Sequence, residues 1–151
     1  MNLKIILFPF VTILLIVISF YIAFIVVNKK RKKDGLKELT KIQFLNRKEK
    51  LDLRTVLVGM SFGIVFGFID NVGLWFGLDA FQRYLPGGLL TKSAWGNTYS
   101  DALGASFGTC VIVVLKTYTN IRETPIWADT LGVIIGCILG LYIPKVLTGK
   151  E

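Results

Sequence analysis

The chain has 151 residues, 53% of them hydrophobic, with a mean hydropathy of +0.61 and a net charge of +8. That apolar content, gathered into long runs, argues against a water-soluble domain, and one domain is the expectation at this length. The complete absence of histidine excludes imidazole acid–base catalysis, His-ligated zinc or haem, and a histidine-based pH switch.

Ile5–Val27 runs 23 residues without a charge, enough for a helix to cross the hydrocarbon core, which takes about 20 residues. It is too long for the apolar region of a signal peptide, and the residues after it are "NKKRKK" rather than a small-residue cleavage site. The reading is an uncleaved signal-anchor, with Pro9 near its start where a missing N–H matters least. Residues 28–54 then form a basic linker with eleven Lys or Arg against four acids. Beside a spanning helix such a block sets topology and meets anionic headgroups, with Lys29, Lys30, Arg31, Lys32 and Lys33 as its densest part. No aromatic or glycine pattern of a single-strand binder accompanies it, so nucleic acid is not the expected partner. Leu36, Leu39, Ile42 and Leu45 recur at threes and hint at a short interfacial helix.

Thr55–Leu78 is the second span and carries Asp70 and Asn71. Asp79–Ser100 reads as a loop turning at "YLPGG", with Phe81, Tyr84, Trp95 and Tyr99 as an interfacial aromatic belt. Asp101–Leu115 is the third span, short unless it reaches back toward Thr98, and Lys116 closes it. Thr124 and Pro125 suit the N-cap and first position of the fourth span, Ile126–Ile143, which Pro144 and Lys145 end. Runs of this length in lipid must be helical, because their backbone groups find no water. The expected fold is therefore an all-α integral membrane protein with four transmembrane helices. Its parts are an anchor (1–27), a basic cytosolic linker (28–54), a three-helix glycine-rich membrane domain (55–145) and a tail (146–151). With four spans, thirteen Lys or Arg share the linker side against five opposite, which puts both termini outside and the linker in the cytosol.

One pattern recurs. Asp70, Gly73 and Gly77 are followed at the same spacing by Asp101, Gly104 and Gly108, and again by Asp129, Gly132 and Gly136, with Gly140 beyond. Gly59, Gly63 and Gly67 precede the first copy at spacing four. Offsets of three, four and seven return to one helix face, so Gly59 to Gly77 share one stripe with Asp70. Small residues at this spacing let helix backbones approach closely, as in glycine-zipper packing. The carboxylates carry two readings. In one they fix helix register by bonding partners such as Thr98, Ser100, Thr109 or Thr130. In the other they line an ion or proton path, making the chain a small channel or transporter subunit.

Other chemistry is thin. Cys110 and Cys137 lie in apolar runs and read as buried small hydrophobes. "LPGG" lacks the ending of a phosphate loop, and Ser93, Ser100 and Ser106 have no base nearby in sequence. No catalytic residue, cofactor or metal site is expected, and the chain does not read as an enzyme.

The phrases "FGFIDNVGLWFGLDAF", "LPGGLLTKSAWGNTYSDALGASFGT" and "PIWADTLGVIIGCILG" resemble small multi-span membrane proteins of nucleocytoplasmic large DNA viruses such as the chloroviruses. The resemblance covers Gly59 to Leu141 and leaves out the first span and the basic linker. It implies a structural membrane protein of the virion, set in the internal membrane beneath the capsid. Its implied partners are the bilayer, capsid or other virion membrane proteins, and further copies of itself. It implies no catalytic residues.

Overall fold

The computed structural model describes residues 3–47, 51–81, 84 and 87–149, with the side chains of 3–9 and 77–81 left aside. Arg83, Lys150 and the Leu85–Pro86 part of the expected turn lie outside the described residues, as do the side chains of Pro9 and Phe81. The described chain forms five helices: α1 (Leu3–Lys33), α2 (Lys41–Asn46), α3 (Leu53–Phe81), α4 (Leu89–Thr119) and α5 (Ile126–Thr148). Among the described residues there is no strand. Four of these helices, all but α2, are long and apolar enough to cross a membrane. The chain divides into two compact units, Met1–Phe44 and Leu45–Glu151.

The first unit is α1 and the segment that folds back from its end. The described side chains of α1 are largely exposed, as lipid-facing residues of a span are. Cations at Lys30, Arg31, Lys32 and Lys33 fill its last turn, where the helix dipole favours positive charge. Gly35, at φ +70°, then takes the left-handed position past the helix end. Gly35 N–H reaches Lys32 O at 3.2 Å and Leu36 N–H reaches Arg31 O at 2.9 Å, the paired bonds of a Schellman stop. The returning strand of chain is clamped by Asn28. Its Nδ2 donates to Leu39 O at 3.0 Å while its Oδ1 accepts from Leu39 N at 2.8 Å. Thr40 and Gln43 close a capping box at the start of α2, each side chain accepting from the other's backbone N–H at 3.2 and 3.0 Å. Phe44 is buried, and its ring meets that of Phe24 edge to face at 5.5 Å.

In the second unit α3 packs against both α4 and α5. Asp52 caps α3, its carboxylate accepting from Arg54 N at 3.3 Å. Contacts descend along α4 as they ascend along α3, so that pair is antiparallel; on α5 both rise together, so that pair is parallel.

Several boundaries differ from expectation: α1 continues through the basic cluster to Lys33, α3 runs Leu53–Phe81 and α4 continues past Lys116 to Thr119. Helix α4 begins at Leu89, absorbing half of the expected 79–100 loop, because its hydroxyls bond back to its own turns. Ser93 Oγ donates to Leu89 O at 3.0 Å and Thr98 Oγ1 to Ala94 O at 2.9 Å. Residues that lower the hydropathy of this stretch are thereby satisfied inside a helix, and Trp95 and Tyr99 stand on α4 rather than in a loop. At the start of α5, Pro125 is the N-cap in place of Thr124, since its ψ of 134° is extended. At the other end Pro144 lies within α5, which continues to Thr148 and stops at Gly149 with φ +63°. Pro144 costs the N–H that Gly140 O would receive, yet a proline near a helix end is tolerated within a packed bundle. Cys110 is exposed and Cys137 half-buried, both as free thiols, so only Cys137 approaches the buried state expected of both.

Replacing Asn28 with Ala removes both bonds to Leu39. At about 1 kcal/mol for each net hydrogen bond, amide exchange at Leu39 should speed by roughly tenfold or more. Hydrogen–deuterium exchange of the protein in detergent measures this, with α5 amides as the unaffected reference.

Candidate functional site

The glycines of α3 do not all serve one neighbour. Gly59, Gly63 and Gly67 are buried and turned to α5. A Cβ built at Gly63 would strike the backbone oxygen of Asp129, and one at Gly67 would stand 2.6 Å from Val133 O. At Gly59 the obstacle is the Ala128 Cβ at 2.9 Å. The reverse view is the same. A Cβ at Gly132 would strike Met60 O, one at Gly136 would strike Ile64 O, and one at Gly140 would stand 2.6 Å from Phe68 O. The spacing of four on both helices carries the contact from turn to turn, as two rows at that interval do.

Gly73 looks the other way, toward α4, where a Cβ would meet Ser100 Cβ at 2.5 Å. Gly104 and Gly108 of α4 lie over Phe66 and Phe62, where an added Cβ would stand 3.0 Å from each carbonyl oxygen. Those two rings stack with centroids 5.9 Å apart. At 100° per residue, Gly67 and Gly73 stand on opposite edges of the expected stripe, so the stripe is divided between two partners. Gly77 belongs to α3, and its surroundings fall outside the described residues.

The polar residues separate in the same way. Asp70 faces α4: Ser100 Oγ donates to its Oδ1 at 2.8 Å, and the side chain of Asp101 meets it as well. Ser100 is buried, with Asn97 O at 3.0 Å, and Asn97 Nδ2 donates to Asp101 Oδ2 at 2.8 Å. Of the four candidate partners for the carboxylates, Ser100 is thus one that bonds across helices, whereas Thr98 bonds within its own. Asn71, one residue on, faces α5 and donates from Nδ2 to Cys137 O at 2.7 Å. Asp129 stands apart from this group, in the first turn of α5 beside Gly63. Gly63 lies seven residues, or roughly 10 Å, along α3 from Asp70. The three aspartates therefore occur as one pair and one separate residue.

The basic cluster is partly engaged. Lys30 Nζ bonds Asp34 Oδ1 at 2.8 Å, and Arg31 Nε donates to Lys37 O at 2.8 Å. Lys29, Lys32 and Lys33 are exposed. Among the described residues no three His, Cys, Asp or Glu gather as a metal site would require. Two side-chain links escaped the sequence reading. The Asn71 bond to Cys137 O has no spacing that announces it, and Trp127 Nε1 donates to Asn46 Oδ1 at 3.2 Å across 81 residues.

Comparison with known proteins finds no matching family model, no matching curated protein and no matching solved structure.

The obstacles at Gly132 and Gly136 are backbone oxygens, which no side-chain rotation can move. Gly136→Ala should therefore cost about 1–3 kcal/mol of stability through helix displacement. Gly96→Ala is the internal control, since nothing lies within 4 Å of a Cβ there. It should be neutral or stabilising by up to about 1 kcal/mol. Thermal loss of helix circular dichroism in detergent compares the two.

Proposed function

We propose that this chain is a structural membrane protein without catalytic activity, whose α3–α5 helices form a rigid unit by glycine-zipper packing. In this reading it sits in the internal membrane of a virion beneath the capsid and helps link that membrane to the shell. The observation that carries the structural reading is the backbone-to-backbone approach of α3 and α5 at Gly63, Gly132 and Gly136. Helices associate in lipid without a hydrophobic drive, so close packing of small residues has to supply the attraction. The face that a conduction path would use is filled by a neighbouring backbone, and Asp129 stands apart from Asp70 and Asp101. The virion setting rests on the resemblance of Gly59–Leu141 to membrane proteins of large DNA viruses. The exposed Lys29, Lys32 and Lys33 suit acidic capsid surfaces or anionic lipid, with the basic linker on the cytosolic side by the charge count.

A second reading has one observation in its favour. Asp70, Ser100 and Asp101 bring two carboxylates and a hydroxyl together between spanning helices, the kind of group a proton or cation path uses. Flux assays separate the two.

Purified protein in liposomes should pass neither protons nor cations, and Asp70→Asn should leave that result unchanged while weakening the α3–α4 contact by about 0.6–1.7 kcal/mol. Flux that vanishes with Asp70→Asn would establish the channel reading instead. The virion setting has its own check. The chain should co-purify with particles freed of host membrane and should be released by detergent with the internal membrane. Its absence from such particles would remove that part of the proposal.

A further inference from the structure

Between the end of α4 and the start of α5 the second unit holds an open cavity of about 610 Å³. Arg47, Lys116 and Arg122 line it, from the chain before α3, the last turn of α4 and the α4–α5 connection. Glu123 and Asp129 line it too. Among the described residues no ion pair at contact distance joins any two of these five charges. The Gly63 backbone and, through space, Lys116 both act on the Asp129 carboxylate.

Two further features describe an occupant. Asp129 Oδ1 is buried and has no hydrogen-bond partner, an arrangement that costs free energy unless a donor arrives. The N-terminus of α5 is also without a side-chain cap, and Thr124 and Ile126 bring its open N–H end to the cavity wall. An occupant must therefore offer an anionic group to three cations and a helix N-terminus, together with an N–H donor to one buried carboxylate oxygen. A phosphate and an ammonium a few bonds apart meet both demands. Residues 120–125 connect two spans, so the cavity opens where lipid headgroups lie, and Phe62 and Ile112 give it an apolar wall for a glycerol backbone.

The geometry points to a binding site for the headgroup of an aminophospholipid, phosphatidylethanolamine or phosphatidylserine, in the cavity between α4 and α5. The phosphate lies among Arg47, Lys116 and Arg122, and the ammonium donates to Asp129. This rests on the membrane-spanning part of the reading above and is independent of any virion setting. Basic recesses between spans on the cytosolic side are suited to lipid headgroups, and the charge count puts this connection on that side.

The experiment is native mass spectrometry of the full chain in detergent, with equimolar phosphatidylethanolamine, phosphatidylserine, phosphatidylcholine and phosphatidylglycerol in competition. One lipid per chain should be retained, with both aminophospholipids about tenfold ahead of phosphatidylcholine, whose quaternary nitrogen has no N–H, and of phosphatidylglycerol, which has no nitrogen. Arg122→Gln, in the exposed connection, should lower retention of every phospholipid by about tenfold. Asp129→Asn should erase the preference for aminophospholipids and leave phosphatidylglycerol retention as before. Melting of each variant in detergent separates a folding defect from a binding one. Equal retention of all four lipids, wild-type retention by Arg122→Gln, or an undiminished preference in Asp129→Asn would each overturn the proposal. So would displacement of the lipid by millimolar inorganic phosphate, which would mark a site for the free anion.

Discussion

Everything in the second unit depends on how near two helix backbones can come when nothing projects between them. Water drives apolar surfaces together, but a bilayer is as apolar as the helices it holds, so burial supplies no comparable force. What remains is contact itself, and dispersion falls off steeply with separation. Glycine at every fourth position removes the atoms that would hold α3 and α5 apart, and many weak contacts then accumulate along several turns. In the proposed membrane setting, this approach offsets the entropic disadvantage of glycine in a helix.

That constraint also places the polar groups. With α5 against one edge of α3 and α4 against the other, consecutive residues diverge: Asp70 reaches Ser100 on α4, and Asn71 reaches Cys137 on α5. Two adjacent positions thus fasten the central helix to both neighbours at one level. Each bond is modest in a membrane, about 0.6 kcal/mol on average. Their value lies in register, because a slide of one turn along either neighbour would part Asp70 from Ser100 or Asn71 from Cys137 O.

The sequence made the helical class, the four helices long and apolar enough to span and the small-residue faces legible, because run length and spacing depend only on composition along one helix. Division of the α3 stripe between two partners was not legible, since periodicity reports which residues share a face and not who stands opposite. The start of α4 was hidden by Thr91, Ser93, Asn97 and Thr98, whose polarity reads as loop until the bonds of Ser93 and Thr98 to the preceding turn, and of Asn97 to Asp101, are counted. The Thr40–Gln43 box was present in the sequence as Thr-x-x-Gln before an apolar residue and could have been found. The Trp127–Asn46 and Asn71–Cys137 links could not, for a side chain meeting a carbonyl or an amide far along the chain leaves no periodic trace.

The outward-facing surface of α1 has a consequence for how this sequence can drift. Most described side chains of that helix are exposed and apolar, and in the membrane-spanning reading the demand on each is solubility in lipid rather than fit. Leucine, isoleucine, valine and phenylalanine satisfy that demand interchangeably, so α1 can be rewritten extensively while its hydropathy is kept. Gly132 and Gly136 admit no such exchange, because the smallest possible addition meets a carbonyl oxygen. Tolerance to substitution therefore differs along the chain: average character sets it over the described part of α1, and single atoms set it along α3 and α5.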